Sequence, residues 1–299
     1  MPPTRRPCCH LQLARRSLPL GRRTLLMGIL NVTPDSFSEQ GRYFDRKAAI
    51  ARGLEMEREG ADLLDIGGES TRPGAAPVPE EEELDRTLPV IETLRRKGLQ
   101  IPISIDTYKS AVARRALRAG AEIVNDISGL RFDPALAQVV SQHAAGIILM
   151  HIRGTPQTMQ QLPVVRDVVG AVRTGLARSL RRALAAGIGG RQIVLDPGIG
   201  FGKTAEQNLE LIRKLPRIAR LGYPLLLGPS RKSFLRKIVE ELHGPDARGN
   251  FGSAEVMEQI VFGTAAAVVA GILNGAHMVR VHDVRQMLPV ARLADRLME

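Results

Sequence analysis

The chain has no tryptophan, three tyrosines and seven phenylalanines in 299 residues. Proteins that hold single-stranded nucleic acid use aromatic side chains as stacking platforms, so this shortage argues against such a role despite a net charge of +11. The seven lysines among 42 basic residues leave 35 arginines, dispersed along the chain. A field of that sign also suits a small anionic substrate. Cysteine is nearly absent: Cys8 and Cys9 are adjacent, a spacing that rarely closes a disulfide, and two cysteines make no disulfide framework. A reducing, cytoplasmic setting is expected. The first 23 residues have no acid, six arginines and a single serine. They lack the apolar core of roughly 7–15 residues that a secretory signal needs. Asn31-Val32-Thr33 fits the glycosylation pattern, but without such a signal the match is coincidental. No window approaches the roughly 18 uninterrupted apolar residues of a membrane span. Neither a nucleic acid nor a membrane is expected as a partner.

What the sequence does contain is an alternation. Eight short runs rich in Ile, Val and Leu recur: Leu25–Leu30, Leu63–Ile66, Ile101–Ile105, Glu122–Val124, Ile147–Met150, Ile193–Leu195, Leu225–Leu227 and Met278–Val281. Continuous apolar runs of this length fit parallel strands covered by helices. The stretches between them have helical spacing, as in Leu84, Leu88, Ile91 and Leu94, or Leu209, Ile212 and Leu215. Glu80 to Glu83 stand where a helix macrodipole favours negative charge. Met257, Ile260 and Val261 open a long apolar helix running to about Leu273, suited to core or interface. Gly60, Gly98, Gly120, Gly187 and Gly222 follow helical segments, as C-terminal glycines do. Eight such units predict a single-domain α/β fold, the (β/α)8 TIM barrel. An open doubly wound sheet is the alternative, but no G-x-G-x-x-G follows the first run. Residues 1–23, with Leu11, Leu13, Leu18 and Leu20 in short alternating pieces, predict a tail and a small hairpin plugging the bottom of a barrel formed by residues 24–299.

In such a barrel the site lies where the strands end. The exits carry Asn31, Asp65, Asp106, Asn125 with Asp126, His151, Asp196, Ser230 with Lys232, and Arg280 with His282. Some of these, Asp65 and Asp126 foremost, also suit caps and turns. Arg280 and His282, two apart on the last strand, form a candidate anion clamp. Asp106, Asn125, Asp196 and Lys232 would converge at the mouth. A carboxylate accepts two parallel N–H bonds from an aminopyrimidine edge, Asn both donates and accepts, and Lys donates. A structural ion network remains the alternative. Asp196 to Thr204 ends like a phosphate-binding loop but has Pro197 where that motif needs glycine. The six histidines show no close pair at zinc-ligand spacing. Magnesium held mainly by phosphate needs only one or two protein oxygens, and Asn31 is a candidate.

Several of these stretches are similar to the signatures of the dihydropteroate synthases. The resemblance rests on Met27 to Ser38 (MGILNVTPDSFS), Asp65 to Gly74 (DIGGESTRPG), Ser104 to Thr107, Asn125 to Gly129, Met150-His151, Asp196 to Lys203, Ser230 to Phe234 and Arg280 to Val284, in order over residues 24–297. It implies a barrel enzyme of folate synthesis that condenses 6-hydroxymethyl-dihydropterin diphosphate with p-aminobenzoate, releasing diphosphate. By that resemblance Asn31 would bind magnesium, and Asp106, Asn125, Asp196 and Lys232 the pterin, with Met150 and Phe201 lining its pocket. Thr71, Arg280, Val281 and His282 would hold the diphosphate-bearing substrate, and Arg72, Pro73 and Ser233 p-aminobenzoate. Catalysis would rest on Asn31, Asp106, Asp196, Lys232, Arg280 and His282. Phe37 would lie on a closing first loop, and a homodimer is expected. One departure stands out: Ser38 is followed by Glu39-Gln40-Gly41, where the family usually has Asp-Gly-Gly, and Gln resists backbone angles that glycine permits. A methyltransferase barrel sharing the pterin pocket would not need the Thr71–Pro73 or Ser230–Phe234 segments. A non-catalytic pterin-binding paralogue is the other alternative.

Overall fold

The computed structural model of the chain describes residues 6–33, 42–243 and 254–299. Eight parallel strands pair in sequence order: β3 (Leu25–Asn31), β4 (Leu63–Gly67), β5 (Ile103–Asp106), β6 (Ile123–Asp126), β7 (Gly146–Met150), β8 (Ile193–Asp196), β9 (Leu226–Leu227) and β10 (Met278–Val281). β10 lies between β9 and β3. A parallel bridge from Leu195 to Leu225, with Leu195 N–H donating to the Pro224 carbonyl at 2.9 Å, brings β8 to β9 and nearly closes the barrel. Every run read from the sequence as a strand lies at one of these eight. They are buried almost throughout, as expected of strands with an interior on one side and helices on the other.

Around them run α1 (Arg42–Arg58), α2 (Glu80–Arg96), α3 (Ser110–Ala119), α4 (Leu136–Gln142), α5 (Val168–Ala185), α6 (Ala205–Arg213), α7 (Leu215–Ala219), α8 (Ser233–His243), α9 (Ala254–Leu273) and α10 (Val284–Arg296). Local chemistry sets their ends. Thr204 caps α6 through its hydroxyl, which accepts from Gln207 N–H, while the Gln207 side chain accepts from Thr204 N–H. Gly120 ends α3 at φ +114°, returning its N–H to the carbonyls of Ala116 and Leu117. The apolar faces are buried mostly as their spacing predicts, with one exception. Leu211, Ile212 and Leu215 face the core, but Leu209 is exposed beside a groove described below. α9 is long and apolar enough by composition to cross a membrane, yet Ile260, Thr264, Val268 and Ile272 pack it into the fold.

Before the barrel, β1 (Cys9–Gln12) and β2 (Ser17–Leu20) form an antiparallel hairpin. Leu11, Leu13 and Leu20 pack against Leu25, Met27, Leu63, Ile123, Ile148, Val194, Leu226 and Met278, the inward residues at the N-terminal end of the strands. The hairpin therefore covers the barrel floor. The polar strand ends are at the opposite rim.

Candidate active site

The rim is organised by one arginine. Arg280, near the end of β10, donates from Nε to Asp65 Oδ2 at 2.6 Å and from Nη2 to Asp106 Oδ2 at 2.8 Å. Asn125, at the end of β6, donates to the same Asp65 oxygen at 2.9 Å. Residues from β4, β5, β6 and β10 thus meet in one buried network. Asp65, read from the sequence as a strand-exit residue that could equally be a cap, is its hub, and its Oδ1 is buried with no partner. Burial raises the Asp106 pKa, and the Asp65 carboxylate raises it further against the opposing pull of Arg280. Burial also works against the Arg280 charge, but Asp65 and Asp106 outweigh it and hold that pKa up.

Asp196 and Lys232 complete the opposite side. Burial pushes Asp196 up to about 6, against the Gly198 N–H that donates to Oδ1 at 2.7 Å and against Lys232. Lys232 is pushed down to about 8 by burial and by Arg280, with Asp196 opposing. Its Nζ lies 4.0 Å from the centre of the Phe201 ring, a cation–π contact. Phe201 and Met150 belong to an apolar wall with Ile127, Ile152 and Met159. A ligand here would find acid, amine and an aromatic face together.

The turns beyond β8 and β9 are shaped to make this possible. Gly198 has φ +71°, and a Cβ there would sit 2.0 Å from the His151 carbonyl oxygen, so only glycine fits. Lys203, which closes the signature stretch Asp196 to Lys203 without a role assigned from the sequence, is buried beneath the same turn. Its ammonium donates to the carbonyls of His151, Gly198 and Phe201 at 3.1, 2.7 and 2.9 Å. Burial pushes it down to about 7. Arg231 has φ +54°, a conformation costly for a side chain of this size. It is held by an ion pair from its guanidinium to Asp283 and by its N–H donating to Thr264 Oγ1 at 3.2 Å. That turn aims Lys232 inward and leaves Ser233 exposed at the start of α8.

His282 follows β10, its backbone N–H donating to Ser230 Oγ at 3.2 Å while Nδ1 lies 3.0 Å from the same oxygen. Burial, then Arg280, Arg231, Lys232 and Arg72, push it down to about 3. Without an anion among these cations the imidazole is held neutral. Val281 is buried beside it. Thr71, Arg72 and Pro73 lie on the segment after β4, half-buried to exposed, and the charge of Arg72 is felt at both Lys232 and His282. Asn31 ends β3: its Oδ1 and Asp106 Oδ2 are each 3.7 Å from where a Cβ on Gly67 would stand. Two strand-end residues do not join the rim. Asp126 turns its carboxylate to the N–H groups of Ser128 and Leu130 at 2.7 and 2.5 Å, the turn role allowed for it. His151 faces α5, where a Cβ on Gly175 would meet its ring at 2.4 Å. Phe37 and Glu39 lie outside the described residues.

Comparison with known proteins gives the family. The family described as pterin binding enzyme matches residues 27–282. The chain is 50% identical to the dihydropteroate synthase of Synechocystis over 93% of its own length and 91% of that protein. The corresponding figures for the Bacillus subtilis enzyme are 44%, 92% and 89%. The chain belongs to the dihydropteroate synthase family. The Xanthomonas albilineans dihydropteroate synthase solved with 4-aminobenzoic acid superimposes with a TM-score of 0.84 at 41% identity, covering 97% of this chain and 98% of that one. The same enzyme solved with 7,8-dihydropteroate gives 0.81 at 39%, covering 97% and 98%.

Proposed function

We propose that this chain joins the methylene carbon of 6-hydroxymethyl-dihydropterin diphosphate to the amine of p-aminobenzoate, giving dihydropteroate and diphosphate. The observation that carries this reading is the grouping at one rim of Asp106, Asn125 and Asp196 from three strands with Lys232 from the turn after β9, beside the apolar side chains of Met150 and Phe201. Asp196 and Asp106 accept from the aminopyrimidine edge, Asn125 donates and accepts, and Lys232 donates to the ring. Burial raises the pKa of Asp106 and Asp196 and lowers that of Lys232, a cost that a bound polar ring would relieve.

Asn31 would hold magnesium. Its amide oxygen shares the rim with Asp106, and among the described residues no cluster of three His, Cys, Asp or Glu side chains is placed to cage a metal. That donor set suits a hard cation completed by phosphate and water. Bound there, the ion would supply charge neutralisation for the departing diphosphate. Arg280 adds its guanidinium charge, and His282 and Thr71 add hydrogen bonds. As the C–O bond breaks, positive charge develops at the methylene, and the carboxylates of Asp106 and Asp196 stabilise it electrostatically. The arylamine attacks with a free lone pair and needs no strong base. Arg72, Pro73 and Ser233 orient it, which is a positioning contribution.

We further read the chain as a homodimer. Leu209, Leu242, Phe262 and neighbours from α6, α8 and α9 line an apolar groove of about 720 Å³, with Leu242 and Phe262 exposed by 77% and 65%. Apolar patches of this kind mark association surfaces. The free thiols of Cys8 and Cys9 suit a reducing compartment, so we place the enzyme in the cytoplasm. The test of the catalytic reading is turnover of the diphosphate ester with magnesium in Asn31→Ala and Arg280→Ala. Each is expected to lose about a hundredfold or more in kcat; unchanged turnover in both would remove the charge-neutralising step.

A further inference from the structure

The segment that carries Thr71, Arg72 and Pro73 is tied down at both ends by a single lysine. Lys109 Nζ donates to Glu69 Oε2 at 2.5 Å, to Glu83 Oε2 at 2.5 Å and to the Val78 carbonyl at 2.7 Å. An ammonium has three donors, and all are engaged. Glu69 opens the segment and Val78 closes it. Val78 N–H also donates to Glu69 Oε2 at 2.9 Å, and the Tyr108 hydroxyl donates to Glu69 Oε1 at 2.9 Å. Glu83 sits in the first turn of α2, and Lys109 immediately precedes α3. One cation therefore fixes both ends of a ten-residue segment to two helices. The side chains of Lys109, Glu69 and Glu83 are exposed by only 11%, 6% and 1%. Buried charges in contact define geometry sharply, because removing one partner leaves the others without compensation. Between the two ends, Gly74 N–H donates to the Pro156 carbonyl at 3.1 Å, drawing the tip toward the loop after β7.

We propose that Lys109 is a positioning residue for the amine half of the reaction. By pinning residues 69 and 78 it sets where Arg72 and Pro73 meet p-aminobenzoate, and it keeps that segment closed against water. Lys109 hydrogen-bonds none of Asp106, Asn125, Asp196 or Lys232: its ammonium bonds Glu69, Glu83 and Val78 and lies 5.1 Å from the centre of the Tyr108 ring. The two half-reactions are therefore separable. When the amine is held, its nitrogen bonds to the methylene carbon as diphosphate leaves with the C–O electron pair, and the amine proton passes to solvent. When it is not held, a water oxygen forms that bond instead, its proton passes to solvent, and the hydroxymethyl-dihydropterin is returned. The inference rests on the proposed condensation.

The experiment compares full-length wild type, Lys109→Met and Lys109→Arg with magnesium, dihydropterin diphosphate and p-aminobenzoate, measuring total diphosphate and dihydropteroate separately. Affinity for the bare dihydropterin, read by fluorescence titration, is the control. Lys109→Met is expected to raise KM for p-aminobenzoate about tenfold or more, the scale on which remote misplacement acts. Diphosphate should then exceed dihydropteroate, with pterin affinity within about twofold of wild type. Lys109→Arg, which keeps the charge, should recover most of the loss. An unchanged KM with product still matching diphosphate, or equal losses for pterin and amine, would overturn the proposal. If Lys109→Met does not fold, Tyr108→Phe decides. A rise of a few-fold in the amine KM alone supports the anchor, and no change overturns it. Absence of amine-dependent diphosphate release in wild type would instead defeat the condensation itself.

Discussion

At the scale of single residues, the site stores unfavourable charge that its ligand would relieve. Asp196 is held near 6 by burial, above its ordinary range. A carboxyl raised in the fold favours the folded state while protonated, and that contribution is lost as pH rises through the folded pKa. Above about pH 6 the free protein thus carries a destabilising buried anion, while the pterin needs that anion as acceptor. Asp196→Asn is expected to raise the free protein's stability on the order of 2 kcal/mol at about pH 8, with little change at about pH 4. Thermal unfolding at the two pH values checks this. The same variant should lose pterin binding by at least about tenfold, since the amide replaces an acceptor with a donor. A stability gain equal at both pH values would mean that Asp196 is not the strained group. These charges were only partly legible in the sequence. The strand-exit rule placed Asp106, Asn125, Asp196, Lys232 and Arg280 on the rim because each follows or ends an apolar run. It did not distinguish Asp65 from Asp126, two aspartates at equivalent-looking exits. Asp65 meets Arg280 across 215 positions of chain, a pairing made by barrel closure and written in no local pattern. His151 escaped for a similar reason: period two gives a face but not the turn that rotates the last residue outward.

At the scale of elements, the turns do as much as the strands. The turn 197–203 is built on positive-φ glycines above the Lys203 ammonium, so that Gly198 N–H reaches Asp196 and Phe201 reaches Lys232. Gly198→Ala would put a carbon into the His151 carbonyl and force the turn to shift. The expected result is a loss of about 2 kcal/mol or more in stability, together with a matching fall in pterin affinity. Denaturant unfolding and pterin titration measure the two, and wild-type values for both would show that the turn yields without moving the site. The resemblance made this stretch conspicuous but not its mechanics. Lys109 uses its three donors on groups 26 to 40 positions away, and Lys203 joins its own turn to His151, 52 positions away; no spacing encodes such tripods. Helical spacing also has a limit. Leu209 falls on the same stripe as Ile212 and Leu215, yet lies at the groove, because spacing selects a face without saying what covers it.

At the scale of the whole molecule, the barrel divides its labour. The hairpin of β1 and β2 closes the floor with leucines, the strands carry an apolar interior, and the opposite rim collects Asp65, Asp106, Asp196, Lys232 and Arg280. Eight strands were readable from composition and order alone, because parallel strands covered on both sides are apolar throughout. The groove between α6, α8 and α9 is the remaining feature on this scale. If it is the dimer contact, Phe262→Glu should halve the mass seen by sedimentation at micromolar concentration, since a charge facing its own copy opposes an isologous contact. A monomeric wild type, or a variant that still dimerises, would move the contact elsewhere.

The central claim is that one pocket both reads the pterin and delivers it to an amine. The most direct measurement is diphosphate release from the dihydropterin diphosphate with magnesium, with and without p-aminobenzoate, alongside assay of the product. The account predicts release that depends on the amine and is matched by dihydropteroate. Measurable pterin binding with no release under either condition would contradict it and identify a pterin-binding protein without the transferase activity.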